Sequence, residues 1–153
     1  MHRCKEKNFI EKNFTGLKWQ CVEYCRRWLL QNNNLNFESV NFAYEIWKNI
    51  NFCYNIKTKK QISFFNYENV SSTPPKKGDL LVYDKTFLQT GHVAIVVEVD
   101  LCKKYIRVAE QNYHNKIWKA DYSREINLNI IKKNSCVFCE VADDHLLGWK
   151  SFA

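Results

Sequence analysis

The chain has 153 residues, a length that supports one domain with a hydrophobic core but is short for two. Hydrophobic residues make up 46% of it and aromatic residues 15%, which indicates a globular protein rather than a disordered one. The net charge is +7, but the lysines are spread along the chain and no known nucleic-acid-binding motif accompanies them, so we expect solvated surface charge and no nucleic-acid partner. No apolar run approaches the length that spans a membrane, so we expect no membrane partner.

The amino terminus and the cysteines bear on the cellular compartment. Residues 1–7 are charged and are not followed by the apolar segment of a secretory signal. The seven cysteines, an odd number, favour free thiols over a disulfide framework. We therefore expect a cytoplasmic monomer that forms a single domain over residues 1–153, with its core between about residues 15 and 150.

The first predicted element is an amphipathic helix in the stretch from Lys18 to Leu29, where apolar residues recur three and four apart. The asparagine run at residues 32–34 then favours turns. Cys21 falls in the first turn of this helix, where unpaired N–H groups and the positive end of the dipole favour an anion. A thiol at such a position loses its proton more easily, and the thiolate is the nucleophilic form.

The rest of the chain predicts a short helix followed by strands. The second helix runs from about Val40 to Ile50 with Ser39 as its N-cap. The predicted strands are residues 62–65, 80–83, 92–99, 105–111, 117–118 and 137–138. Two helices followed by a run of strands, without alternation of the two, indicate an α+β fold with an antiparallel sheet.

Two further residues make Cys21 a candidate nucleophile. His92 follows Gly91 at the mouth of a long apolar strand, and Glu110 ends the next apolar run. A thiol, an imidazole and a carboxylate at the ends of rigid elements are the parts of a cysteine nucleophile with an oriented base. Taken singly, each has an ordinary alternative: a small buried cysteine, a hydrogen-bonded structural histidine and a surface carboxylate.

Cys136 and Cys139 have the CxxC spacing of zinc sites and redox motifs. A zinc site would need further ligands, and the nearby candidates are His145 and the carboxylates of Asp143 and Asp144. A redox motif should open a helix beside a βαβ unit, which the pattern does not indicate. We therefore expect ordinary cysteines in or beside a strand and no metal site.

Five motifs, in order along the chain, resemble the CHAP family of papain-like cysteine amidases, most closely the amidase domains of glutathionylspermidine synthetase/amidase and trypanothione synthetase. The motifs are KWQCVEYCRRWL, GDLLVYDK, TGHVAIV, RVAEQNY and the terminal LGW. The resemblance implies a papain-like α+β fold in which N-terminal helices pack on an antiparallel sheet. It also implies hydrolysis of a glutathione–polyamine conjugate, with Cys21 as nucleophile, His92 as base, Glu110 as the third member, and neither cofactor nor metal.

Four other residues are candidates at the same site. Gln20 precedes the nucleophile, so its amide could join the Cys21 N–H as an oxyanion donor. Asn112 lies two residues after Glu110, so in an extended strand it would point to the same side and could brace the site. The resemblance implies that Arg26 lines the substrate channel, while Asp84 either contacts a polyamine ammonium or simply ends a strand.

The strands that carry His92 and Glu110 predict an antiparallel hairpin with a three-residue loop centred on Leu101. Opposite residues then have numbers that sum to 202, which places His92 directly opposite Glu110. Shifting one strand by a single residue would turn the carboxylate to the other face.

Two other functions remain open on the sequence. The commoner use of the CHAP fold is as a peptidoglycan amidase or endopeptidase, and a degenerate domain could act as a binding module. The intact set of Cys21, His92 and Glu110 argues against the second alternative.

Overall fold

The computed structural model describes residues 5–18, 20–114 and 116–152. Within them the chain forms eleven strands and two helices. In chain order these are β1 Lys7–Ile10, β2 Asn13–Leu17, α1 Cys21–Asn33, β3 Leu35–Asn36, α2 Glu45–Asn49, β4 Phe52–Asn55, β5 Gln61–Glu68, β6 Leu80–Tyr83, β7 His92–Asp100, β8 Tyr105–Ala109, β9 Arg124–Lys133, β10 Cys136–Val141 and β11 Leu146–Phe152.

Nine strands form one antiparallel sheet in the order β10-β9-β8-β7-β6-β11-β5-β4-β3, and β1 and β2 form a separate hairpin. The central strands β6 and β7 are buried on both faces, which accounts for their nearly continuous apolar sequences. Val93 and Ile95 face the core beneath α1, whereas Ala94 and Val96 face a second core on the other side of the sheet. The start of β7 therefore lies between two packed layers.

Helix α1 begins at Cys21, with Gln20 as an extended N-cap, so the prediction that Cys21 lies in the first turn is confirmed. The helix continues beyond the predicted end at Leu29, through Asn33. Only Asn34 adopts the left-handed conformation that closes it, with φ of 57°.

The second helix is much shorter than predicted. Helix α2 has five residues, and Ser39 does not cap it. Instead, the carboxylate of Glu45 accepts hydrogen bonds from the N–H groups of Asn41 and Phe42 at 3.0 and 3.1 Å, which holds the preceding segment in turns. The predicted N-terminal helical layer is therefore reduced to one full helix, and the antiparallel sheet dominates an otherwise mixed fold. In the part of the chain that the structure describes, no helix is both long and apolar enough to cross a membrane.

The strand predictions are confirmed at β6 and β7 and within β5 and β10. Strand β8 begins at Tyr105 as predicted but ends at Ala109, two residues before the predicted end. The predicted strand at residues 117–118 is wrong, because this segment is irregular. There the Trp118 ring packs edge-on against Tyr24 of α1, with ring centroids 5.8 Å apart, while Ile117 is 96% exposed. Tertiary contact with the helix thus determines the path of this segment.

The predicted register of the β7–β8 hairpin is also wrong. Near the turn Glu98 lies opposite Arg107, and farther along Val96 lies opposite Val108. The predicted partners are Lys104 for Glu98 and Ile106 for Val96, which lie three and two residues away from the observed ones. The loop has four residues, 101–104, and Lys104 takes the left-handed conformation with φ of 59° that closes it without glycine.

A β-bulge between Val96 and Glu98 shifts the ladder by one residue. If the pairing at the turn continued without the bulge, side-chain alternation would place Glu110 and His92 on opposite faces. The bulge returns the two side chains to the same face of the sheet. Glu110 and His92 are then diagonal neighbours across the end of the hairpin. The predicted contact therefore forms, but through a different register.

Candidate active site

Cys21 is the first residue of α1 and is partly buried beside the start of β7. Burial raises the pKa of its thiol. A hydrogen bond to His92, the charge of that ring and the N–H groups of Val93 and Val22 act in the opposite direction and together bring the pKa below its usual value. The helix terminus and the histidine thus both favour the thiolate.

His92 is the first residue of β7, and only 1% of its surface is exposed. Its Nε2 lies 2.7 Å from Oε1 of Glu110, which leaves Nδ1 as the ring nitrogen for the hydrogen bond to Cys21. Burial lowers the pKa of the imidazole, but its hydrogen bonds to Cys21 and Glu110 outweigh this effect and raise the pKa to about 9. The arrangement therefore favours a thiolate–imidazolium pair.

Gly91 allows the chain to enter β7 at this position. Its φ is +66°, and an added Cβ would lie 2.7 Å from the carbonyl oxygen of Tyr83 and 2.8 Å from Cβ of Tyr44. Any side chain would therefore displace the backbone immediately before His92.

Three aromatic rings surround His92. The centroids of Tyr83, Phe87 and Tyr113 lie 5.4, 5.9 and 5.3 Å from the centroid of the imidazole. They limit the water around the ring and hold its plane. None of the three was predicted from the sequence, because they come from β6 and from two loops far apart in the chain.

Glu110 follows β8 and is only 2% exposed. Its Oε2 accepts hydrogen bonds from Oγ of Ser123 at 2.9 Å and from Nε of Arg124 at 2.7 Å. Burial raises the pKa of this carboxyl, but the hydrogen bonds from His92 and Arg124 outweigh burial and lower the pKa to about 2. Glu110 is thus ionised and held at both of its oxygens.

Arg124 is the largest feature of the site that sequence reasoning missed. Besides Glu110, it donates from Nη1 to Oδ2 of Asp143 at 2.8 Å and from Nη2 to the Tyr83 hydroxyl at 3.0 Å. Its guanidinium lies 3.8 Å from the centroid of the Tyr113 ring. Only the pairing of β9 with β8 brings it to Glu110, and no local motif marks it.

The two predicted supporting residues, Gln20 and Asn112, contact each other. Nδ2 of Asn112 lies 3.4 Å from Oε1 of Gln20, so the Gln20 amide nitrogen is the end left to donate to a substrate. Asn112 does not lie on an extended strand, because β8 ends at Ala109. It has a left-handed φ of 60° in the bend after Glu110.

The structure does not place Arg26 where the resemblance implied. Its side chain is buried, donating from Nε to Oδ1 of Asn36 at 3.1 Å and from Nη2 to the carbonyl oxygen of Phe14 at 3.0 Å. Burial lowers the pKa of this guanidinium to about 10, partly offset by the charge of Glu23. Arg26 therefore ties α1 to the β1–β2 hairpin rather than lining a channel with Cys21.

Asp84 directly follows the last residue of β6. Its Oδ1 accepts a hydrogen bond from the N–H of Thr86 at 2.8 Å and so closes a turn. Its own N–H donates to the carbonyl oxygen of His145 at 2.8 Å.

Cys136 and Cys139 lie on strand β10, where residues three apart point to opposite faces. Cys136 is exposed and Cys139 is buried. Within residues 5–18, 20–114 and 116–152, no group of three or more His, Cys, Asp or Glu side chains is placed to hold a metal ion.

A thiol at a helix start, hydrogen-bonded to a histidine that a buried carboxylate orients, is the geometry used by hydrolases with a cysteine nucleophile. Residues 12–112 match the CHAP domain, and the chain belongs to the CHAP domain family.

Curated relatives are similar over most of the chain. Trypanothione synthetase of Crithidia fasciculata is 33% identical over 127 residues, which cover 80% of this chain and 19% of that protein. Glutathionylspermidine synthase of the same organism is 34% identical over 138 residues, or 88% and 19% of the two proteins. The bifunctional glutathionylspermidine synthetase/amidase of Escherichia coli is 33% identical over 149 residues, or 94% and 23%. The chain thus spans about a fifth of the length of these relatives.

Proposed function

We propose that this protein is a thiol-dependent amidase that hydrolyses the amide of glutathione–polyamine conjugates such as glutathionylspermidine or trypanothione. The observation that carries the proposal is the hydrogen-bonded series Cys21–His92–Glu110 in a member of the CHAP domain family. Each member of the series is held in place by the packing described above.

In the acylation step, the Cys21 thiolate attacks the carbonyl carbon of the amide, and the C=O electron pair moves to oxygen. The backbone N–H of Cys21 and the Gln20 side-chain amide are the candidate donors to that oxyanion. Each such donor typically lowers the barrier by about 3 kcal/mol. As the C–N bond breaks, the His92 imidazolium transfers its proton to the departing amine, which leaves a thioester on Cys21.

In the deacylation step, the neutral His92 takes a proton from water as the water oxygen attacks the thioester carbonyl. The C–S bond breaks, the acid is released, and the proton on His92 restores the thiolate–imidazolium pair. Glu110 keeps the ring in one orientation and stabilises its charged form throughout, without taking up the proton.

The substrate assignment draws on the names of the relatives and on a neighbouring cleft of about 310 Å³, lined by residues within the two stretches 113–114 and 116–124. These residues adjoin the site, because Tyr113 packs on His92 and Trp118 packs on α1. Lys116 and Lys119 line the cleft and suit a carboxylate on the acyl half of the substrate.

The test is to incubate the protein separately with glutathionylspermidine and with murein fragments and to quantify the released amine and acid. We expect equal amounts of glutathione and spermidine from the first substrate and no product from the second. Cys21→Ala should abolish the release, whereas the matched variant Cys102→Ala, at an exposed thiol in the β7–β8 turn, should retain it.

Release of amine from murein alone would assign the protein to the peptidoglycan-cleaving alternative. Full activity of Cys21→Ala would refute the nucleophile. Iodoacetamide labelling near neutral pH gives an independent check, because Cys21 should react before the other six cysteines.

A further inference from the structure

The carboxylate that orients His92 is itself held by an arginine that the catalytic steps above do not use. Arg124 stands at the start of β9, and its backbone pairs with Val108 near the end of β8. Its guanidinium grips Glu110 at both oxygens, Nε to Oε2 at 2.7 Å and Nη2 to Oε1 at 3.0 Å. Oε1 is also the oxygen that contacts His92.

Further hydrogen bonds hold the Arg124 guanidinium in its position against Glu110. Oδ2 of Asp143 accepts hydrogen bonds from Nη1 of Arg124 at 2.8 Å and from the Tyr83 hydroxyl at 2.6 Å. The Tyr83 hydroxyl in turn accepts from Nη2 of Arg124, so the three groups form a closed ring of hydrogen bonds. The Tyr113 ring covers the guanidinium face. Because these contacts fix the planar guanidinium of Arg124, the Glu110 carboxylate that it binds has little freedom to rotate.

We propose that Arg124 is a positioning residue, which fixes the orientation of Glu110 and sets how much of the carboxylate's negative charge His92 experiences. This inference rests on the amidase function proposed above. It assigns to Arg124 two separable effects: the geometry of its fork and the sign of its charge.

The charge has a definite consequence for His92. A free buried carboxylate next to an imidazolium would hold the proton on the ring very tightly, which makes the ring a poor proton donor to a departing amine. The positive charge of Arg124, shared with the same carboxylate, counteracts this. The titratable and charged groups that face His92 and this network are Cys21 and Cys25 of α1, Tyr83 of β6, Glu110, Tyr113, Arg124 and Asp143.

Three variants separate the two effects, and Arg107 supplies a matched control. Arg124→Gln removes the charge, and Arg124→Lys keeps the charge but loses the fork. Asp143→Asn leaves Arg124 in place and strengthens its effect on Glu110. Arg107→Gln removes an arginine of β8 that likewise bridges two carboxylates, Glu98 of β7 and Glu125 of β9, away from His92.

The first measurement is the titration of His92 by NMR in histidine-labelled protein, which has only four histidines and needs no substrate. We expect Arg124→Gln to raise the pKa of His92 by about one pH unit and Asp143→Asn to lower it. Arg124→Lys and Arg107→Gln should leave it close to that of the wild type.

The second measurement is hydrolysis of glutathionylspermidine. Arg124→Lys should lower kcat about 10- to 100-fold while KM stays within about twofold, because a tilted carboxylate misplaces the imidazole whereas the lysine keeps a positive charge at the edge of the cleft. Arg107→Gln should change neither parameter.

The inference is overturned if Arg124→Gln leaves the pKa of His92 unchanged or lowers it. A kcat for Arg124→Lys equal to that of Arg107→Gln overturns it as well. If Arg124→Gln does not fold, the opposite shift expected for Asp143→Asn decides the question. If the wild-type protein hydrolyses no conjugate, the proposed function fails, whereas the NMR titration still decides the role of Arg124.

Discussion

At each end of the β7–β8 hairpin an arginine bridges two carboxylates and lies over two tyrosine rings, but the surroundings of the two ends differ. At the turn, Arg107 donates to Glu98 at 2.9 Å and to Glu125 at 3.0 Å, and its guanidinium lies over the rings of Tyr105 and Tyr122. At the other end, Arg124 bridges Glu110 and Asp143 and lies over the rings of Tyr113 and Tyr83.

The two networks differ in how deeply their carboxylates are buried. The Glu98 and Glu125 side chains are 46% and 43% exposed, whereas that of Glu110 is fully buried. Water and salt screen the first network, so its hydrogen bonds add little beyond what solvent would supply. In the second network a missing partner would leave a buried charge unpaired. A histidine placed next to the first network would titrate almost normally, whereas His92 does not.

The largest difference between the two ends should appear in the rate of hydrolysis. His92→Ala removes the group that moves protons and that holds Cys21 as a thiolate, so kcat/KM for glutathionylspermidine should fall about 10²- to 10⁴-fold. Glu98→Ala, at the turn, should leave it unchanged. Equal effects of the two substitutions would show that the buried end has no special role.

A smaller difference should appear in the stability of the two carboxylate variants. Glu110→Gln leaves Arg124 and His92 without their common anionic partner, so the free energy of unfolding in urea should fall by about 3 kcal/mol. Glu98→Gln should unfold at the same urea concentration as the wild type. The comparison fails if the exposed carboxylate proves to matter as much as the buried one.

The smallest effect is the pH dependence of stability that the buried end imposes. The folded-state pKa of Glu110, about 2, lies below its usual value of 4.5, so its contribution is present above pH 4.5 and is lost as the pH falls towards 2. His92 has a raised pKa of about 9 against the usual 6.5, so its contribution is present below pH 6.5 and is lost as the pH rises through 9. The site should therefore stabilise the fold most between about pH 4.5 and pH 6.5, where both contributions are present.

Urea unfolding followed by tryptophan fluorescence at about pH 3, 5.5 and 9.5 measures this profile. Relative to pH 5.5, the loss at pH 3 due to Glu110 should be about 2 kcal/mol, because about 1.5 pH units separate pH 3 from the usual pKa of 4.5. Glu110→Gln should remove it, whereas Glu98→Gln should retain it. A wild-type profile that stays flat from pH 5.5 to 3 would contradict the ionised, paired state of Glu110.

Local sequence was enough to place the three residues proposed for catalysis at the ends of their elements. The apolar spacing after Cys21 predicts a helix that starts there, and the apolar run after Gly91 predicts a strand that begins with His92. These signals succeed because helix and strand periodicity depend on neighbours along the chain. The same kind of signal exists for β9, where buried Ile126 and Leu128 alternate with exposed residues, and it could have identified that strand.

Local sequence failed where distant segments compete for the same space. The irregular path at Trp118 and the burial of Arg26 follow from contacts with other segments of the chain. The short form of α2 instead reflects a local competitor, the Glu45 carboxylate bound to the N–H groups of Asn41 and Phe42. The register of the β7–β8 hairpin failed for a related reason. Many pairings satisfy charge and apolar matching along two short strands, and the position of a bulge cannot be read from their residue types alone.

The sequence by itself determined which thiol, imidazole and carboxylate stand at the ends of α1, β7 and β8, because side-chain periodicity is a local property. The tertiary structure alone decided that they meet: the bulge at Val97 sets the face of Glu110, and the pairing of β9 with β8 brings Arg124 to it. The physical reason is burial. Once the ladder removes Glu110 from water, its charge must be paired by whatever group the sheet places beside it, and that group is chosen by strand order rather than by proximity in sequence.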